Sequence, residues 1–299
     1  MSQPPRGATS GPAAFEVGGA AVGSVRMAAR KRPRLYLGAW MVLAVVGLAA
    51  LAAPLITPYP PNQQDLRARL QTPSLAHLLG TDQYGRDVVA RLLFGARLSL
   101  LVSLVSVGVA TVVGSLFGVI SGYYRGAVDA VLMRTVDTML SLPALVFALG
   151  LMAMLGAGVT NIIVAIAVAM TPNFARVVRA VALSVCALEY VTAARALGLP
   201  DARILFRHVL PNCLSPIIVL ASVTVARAIL IESNLSFLGV GVPPTTVTWG
   251  LMANEGQQFL LDAPRVSLIP AAAIMIAVLA INAVGDRLRD HLDPTTSCL

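Results

Sequence analysis

EYVTAARALGLPDARILFRHVLPN, residues Glu189 to Asn212, is a polar and cationic island between two long apolar runs. Its first arm reads as a short amphipathic helix, with Tyr190, Ala193, Ala194 and Leu197 at helical spacing on one face and Glu189 and Arg195 beside them. Gly198 stops that helix, because glycine takes a left-handed backbone at a helix C-terminus without steric cost, and Pro200 can open the next helix at its first turn. The second arm, Ala202 to Leu210, carries Arg203, Arg207 and His208 among Ile204, Leu205 and Val209, and Pro211 is expected to end it. The product is a helix-turn-helix elbow that reads as a docking element, the alternative being an ordinary amphipathic connector between membrane helices.

What flanks the elbow is membrane-like. Hydrophobic residues make up 57% of the 299 and charged ones only 12%, which excludes an ordinary globular domain. Runs long enough to cross a bilayer lie at about Leu37–Ile56, Leu98–Tyr123, Leu140–Gly156, Ile162–Val185, Pro216–Leu238 and Ser267–Val284. The fold class expected is therefore an all-α membrane protein with six transmembrane helices. It divides into a mobile tail (1–35), a first span with its outer loop (36–97), a core of five spans (98–290) holding the elbow loop (186–215), and an end piece (291–299). A cleaved signal peptide ending near Ala50-Leu51-Ala52 is the other reading of the first run, which is long and late for one. Arg26, Arg30, Lys31, Arg32 and Arg34 precede the first span, and together with the elbow's arginines they put the N-terminus, the C-terminus and the elbow on the cytoplasmic side. Arg67, Arg69, Arg86, Arg91 and Arg97 make the first outer loop basic and weaken that asymmetry without reversing it. The net charge of +8 shows no basic stripe interleaved with aromatics, so nucleic acid is not expected as a partner. Cys186, Cys213 and Cys298 have neither paired nor metal-ligand spacing.

The outer loop contains LGTDQYGRDVVARLLFGARLS, Leu79 to Ser99. Thr81 or Asp82 can cap a helix, Gly85 permits a tight turn, and Asp87 with Arg91 forms an i,i+4 pair, so an interfacial helix leading into the second span is expected, with Asp82, Gly85, Arg86 and Asp87 in structural roles. The aspartates match no calcium loop, and neighbouring arginines oppose a cation. Gly114, Gly118 and Gly122 recur every fourth residue, a stripe for close helix packing. Arg134 and Asp137 are spaced to pair where the third helix leaves the membrane. Pro172, between Thr171 and Asn173, should kink the fourth span, which would suit a pathway wall for Pro172 and Asn173. Arg227 and Glu232, five apart in an apolar run, are the intramembrane candidates for lining a route, Glu232 having a helix-end role as its alternative.

Glu189, Ala193, Ala194, Gly198, Ile204, Leu210 and Pro211 resemble the EAA loop of permease subunits in ATP-binding-cassette importers, and EYVTAARALG with RHVLPN is most similar to the dipeptide, oligopeptide and nickel branch. GTDQYGRD with GARLS, LSFLGVGVPPTTVTWG at Leu235 to Gly250, and NAVGDRLRDHLDP at Asn282 to Pro294 resemble further segments of the same permeases, the C-type permease of dipeptide systems in particular. The resemblance implies a type I importer permease fold in a bacterial or archaeal cytoplasmic membrane. It also implies that Glu189, Ala193, Ala194, Arg195, Gly198, Arg203, Ile204, Arg207, Leu210 and Pro211 form the contact with an ATPase. The partners it implies are a second homologous permease, two cytoplasmic ATPase subunits carrying ATP and magnesium, and an extracytoplasmic solute-binding protein.

The lone lysine, Lys31, follows Ala-Ala-Arg rather than the glycines of a phosphate loop, so nucleotide is expected on another subunit and no cofactor or metal on this chain. No Ser-His-Asp order, HExxH or Cys-His grouping speaks for an enzyme. A secondary transporter would show broken, inverted repeat halves, which are not evident. Di- or oligopeptides are the expected cargo, with glutathione or nickel as alternatives, and no His or Met cluster favours nickel.

Overall fold

The computed structural model describes residues 33–292, with side chains from Leu37 onward. Most of the expected tail, and the end piece from position 293, lie outside the described residues. Residues before Tyr36 form a separate unit, of which only 33–35, the opening turn of α1, is described. Among the described residues every regular element is helical: α1 (Pro33–Leu51), α2 (Ala53–Ile56), α3 (Val88–Tyr124), α4 (Gly126–Leu140), α5 (Ala144–Leu155), α6 (Val159–Val185), α7 (Glu189–Ala196), α8 (Asp201–Ile204), α9 (Leu210–Phe237), α10 (Trp249–Gly256) and α11 (Arg265–Leu292).

Four of these runs are long and apolar enough to cross a bilayer: α3, α6, the stretch Asp201–Phe237 and α11. The bent pair α4 and α5 makes a fifth if counted as one span, and α1 is a shorter apolar helix. The six expected runs are all helical, and two of them depart from continuous spans. The first run breaks at Ala52, where Pro54 in the first turn of α2 cannot continue the hydrogen-bond ladder of α1. The third does not run straight from Leu140 to Gly156, because the chain turns by 90° between α4 and α5, before Pro143. The 12 residues of α5 cover only about 18 Å.

The second run, by contrast, is longer than expected. Asp87 caps α3 by accepting from Ala90 N at 2.7 Å, and the helix then continues for 37 residues, about 55 Å, with no separate interfacial helix before it. The glycine stripe does what small residues do in membranes, letting two backbones touch so that dispersion holds them together. A Cβ added at Gly118 would sit 2.6 Å from Ala175 O, and one at Gly114 2.6 Å from Phe174 Cβ, so α3 and α6 pack with no room for a side chain between them. Val102, Ile162, Ile166, Phe174, Ala228 and Leu235 form the core around that seam. Helix α6 runs unbroken through Pro172, and the Thr171 hydroxyl adds a bond to Ala167 O at 2.8 Å one position away from the carbonyl that the proline leaves open.

Candidate functional site

The elbow joins α6 to α9 at one end of the bundle. Glycine makes its bend. Gly198 has φ +72°, its N–H donates to Arg195 O at 2.9 Å, and Leu199 N donates to Ala194 O at 3.2 Å, the paired bonds of a Schellman C-cap. Because a Cβ at Gly198 would meet nothing within 4 Å, the demand for glycine there is conformational rather than steric. The buried face of α7 is Val191 and Ala194, not the expected set of Tyr190, Ala193, Ala194 and Leu197. Of that set only Ala194 is inside, whereas Tyr190 and Leu197 are 44% and 80% exposed. Val191, Ala194, Ile204 and Val209 pack with Val119, Tyr123, Val178 and Cys213 into a second core that seats both arms on the ends of α3, α6 and α9. Burying Val191 and Ile204 fully contributes about 1.5–3 kcal/mol each.

Pro211 does not end the second arm. One turn of π-helix, Leu205–Val209, follows α8, with Leu210 N–H bonded to Leu205 O, and the chain passes directly into α9 with Pro211 in its first turn. The wider turn accommodates a residue without an N–H, and Asn212 Nδ2 closes the His208 carbonyl at 2.6 Å. Glu189, Ala193, Arg195, Arg203, Arg207 and Pro211 are exposed on the elbow's outer surface, while Ala194 and Ile204 are buried under it and Leu210 is half-buried. The expected contact set thus divides into a surface and the packing that supports it. Beneath the first arm, burial pushes the Cys186 thiol up from its ordinary value, and Arg195 opposes the shift.

Two residues that the sequence reading did not single out complete the elbow. Tyr123, in the last turn of α3, donates its hydroxyl to Asp201 Oδ1 at 2.7 Å, and the Arg195 guanidinium lies 4.3 Å from the centre of its ring.

At the opposite end of α3 the loop between α2 and α3 folds onto a buried charge network. Asp82 Oδ1 accepts from the backbone N–H groups of Tyr84 at 2.8 Å and Arg86 at 2.9 Å, and its Oδ2 accepts from Arg86 Nε and Arg91 Nη1, both at 2.6 Å. Glu255 of α10 takes the remaining charge, accepting from Arg86 Nη2 and Arg91 Nη1 at 2.7 Å each. Both oxygens of Asp82 are thus occupied by N–H donors. Arg91 pairs with Asp82 and Glu255 instead of the expected Asp87, whose second oxygen faces His77 Nδ1 at 2.9 Å. Asp82, Gly85, Arg86 and Asp87 come together as a structural set, and Gly85 is required twice over, by φ +71° and by Asp65 O, which a Cβ would meet at 1.7 Å. Glu255 was missed because a lone acid in WGLMANEG carries no local pattern.

The intramembrane candidates separate. Glu232 is 0% exposed, accepts from Ser236 Oγ at 2.9 Å, and lies among the hydroxyls of Ser233, Ser99 and Thr248, so it ties α9 to α3 and to the cap of α10. It is packed inside α9 near that helix's C-terminal end, with no solvent contact in this conformation. Arg227 is exposed, Pro172 buried and Asn173 half-buried. A cleft of about 540 Å³ opens between α6, α9 and α11, lined by Val177, Ser215, Pro216, Val219, Asp286 and Arg289, and none of these four candidates is among its walls. Asp137 pairs with Arg176 at 2.6 Å rather than with Arg134, and Asp129 takes Arg179 in a two-pronged pair at 2.5 and 2.6 Å.

A helical bundle of apolar spans, interrupted by one capped polar elbow and closed at the far end by a buried ion network, defines a multi-pass integral membrane protein. Residues 114–297 match the family described as the binding-protein-dependent transport system inner membrane component, and residues 27–73 match the N-terminal transmembrane domain of oligopeptide transport permease C. The chain belongs to this family of inner membrane transport components. It is 43% identical over 263 residues to a putative peptide transport system permease of Brucella suis, with 88% of each chain covered. It is 39% identical over 264 residues to a dipeptide transport system permease of Alkalihalophilus pseudofirmus (88% and 87% covered) and 40% identical over 253 residues to a glutathione transport system permease of Pectobacterium atrosepticum (85% and 84%). In fold it is similar to a chain of the inward-facing MetNI methionine ABC transporter, with TM-score 0.56 and 20% identity over 68% of this chain and 96% of that one. An amino acid ABC transporter chain follows at TM-score 0.52 and 17% identity.

Proposed function

We propose that this chain is the membrane-spanning permease subunit of an ATP-driven importer that moves short peptides across the cytoplasmic membrane, glutathione belonging to the same chemical class. The observation that carries the reading is the glycine-capped elbow, whose exposed Glu189, Arg195, Arg203 and Arg207 stand on a packed base of Val191, Ala194 and Ile204. A polar surface held rigidly on the ends of three spans is what a membrane subunit needs in order to receive mechanical work from a soluble one. ATP and magnesium are then held by two cytoplasmic ATPase subunits. A second homologous permease completes the pathway, and an extracytoplasmic binding protein delivers the peptide. Alternating access follows if closure of the ATPase pair favours one arrangement of the spans by roughly 5 kcal/mol, enough to invert a two-state population.

The test is uptake of a labelled dipeptide or tripeptide into vesicles carrying the complete complex. Gly198→Pro fixes φ near −65° where +72° is needed and deletes the N–H that bonds Arg195 O. We expect it to abolish ATP-dependent uptake, or assembly with the ATPase. Normal uptake by this variant, or wild-type uptake without ATP, overturns the reading.

A further inference from the structure

We propose that Tyr123 is a positioning residue that sets the angle of the elbow and couples it directly to α3. The proposal rests on the reading of the elbow as the ATPase contact. The two arms are joined covalently to α6 and α9, and neither is continuous with α3. Beside the apolar contact of Val119, Tyr123 supplies the polar link. It is 6% exposed, it belongs to the apolar cluster under the elbow, and its two polar contacts reach opposite arms: Asp201 opens α8, and Arg195 lies in the last turn of α7. The Gly198 turn lies between those two contacts, and a Cβ there would meet nothing within 4 Å, so no side-chain packing braces the bend itself. The clasp on Tyr123 spans it, above the shared apolar core that seats both arms. It also fixes where a push on the elbow goes. Tyr123 is part of a single unbroken 37-residue helix whose other end carries Asp87, Arg91 and Ser99, the residues that engage His77, Asp82, Glu255 and the cap of α10. Displacement of the elbow therefore reaches the far face of the bundle along one rod rather than through a chain of loops.

The test uses the assembled complex in proteoliposomes and reads solute imported per ATP hydrolysed, together with the mobility of a spin label at Leu197→Cys in a background lacking the native cysteines. Tyr123→Phe and Asp201→Ala each remove the same hydrogen bond. We expect about a threefold fall in the import ratio for either, and the same threefold for the double variant, because partners in one contact are not additive. Tyr123→Leu also removes the ring under Arg195, and a fall of about tenfold with a more mobile label is expected. A role in packing alone would lower the yield of complex and leave the ratio and the label mobility of the surviving complex at wild-type values. That outcome, or single losses that multiply in the double variant, overturns the proposal. Should Tyr123→Leu fail to assemble, the Phe and Ala cycle decides. If the wild-type complex imports no peptide, the reading of function fails, and the label mobilities of the cycle still test the clasp.

Discussion

Asp82 carries more than its position in a loop suggests. A carboxylate 1% exposed, receiving two backbone N–H groups and two guanidinium groups, is fully compensated, and removing it leaves two buried arginines, Arg86 and Arg91, with the single carboxylate of Glu255 between them. Breaking a buried pair from one side costs about 3–5 kcal/mol, so Asp82→Ala should lower the thermal midpoint of the purified protein far more than Asp137→Ala, whose pair with Arg176 is 59% exposed on both sides. Equal midpoints for the two variants would show that the network contributes little. Sequence made Asp82 and Gly85 visible as turn chemistry. The identity of the partners was not visible, because Glu255 lies 164 residues beyond Arg91 and nothing in local spacing links them. The same holds for Arg134 and Asp137, where an i,i+3 rule named a pair and the fold offered Arg176 instead.

Among the elements, α3 and α6 depend on absent side chains. Gly118→Leu would drive a branched group into Ala175 O and Val178, and overpacking of this kind costs about 1–3 kcal/mol when the structure relaxes. We expect a lower melting temperature and a reduced membrane yield, while Gly108→Leu, where nothing lies within 4 Å, should leave both unchanged. Helix α10 depends instead on what it is tied to. Thr248 caps it, Trp249 donates to Leu92 O at 3.0 Å, and Glu232 gathers the Ser99 and Thr248 hydroxyls. Glu232→Ala should therefore raise the acrylamide quenching of Trp249, measured with Trp40→Phe so that one tryptophan remains, and unchanged quenching would remove Glu232 from that role. The stripe was legible because its period of four is local. The unbroken course of α3, the 90° bend before Pro143 and the π-turn that carries α8 past Pro211 were not, since each is decided by what packs beside the helix.

For the whole molecule, the proposed orientation puts the elbow and the α10 end on opposite sides of the membrane. A membrane-impermeant maleimide should label Leu261→Cys from outside intact cells and Leu197→Cys only in inverted vesicles, both positions being highly exposed at 99% and 80%. Labelling of both from one side would overturn the orientation. Native Cys186 and Cys213 are buried and should react slowly in either preparation. The amino-acid sequence by itself determined the solvent, the helical class, the glycine at the bend and the small-residue seam, since these follow from apolar run length, periodicity and backbone preference, all properties of neighbouring residues. Only the tertiary structure decided which charges meet, which helices break and which tyrosine holds the elbow, because those depend on groups brought together from distant parts of the chain, whose pairing no spacing rule encodes.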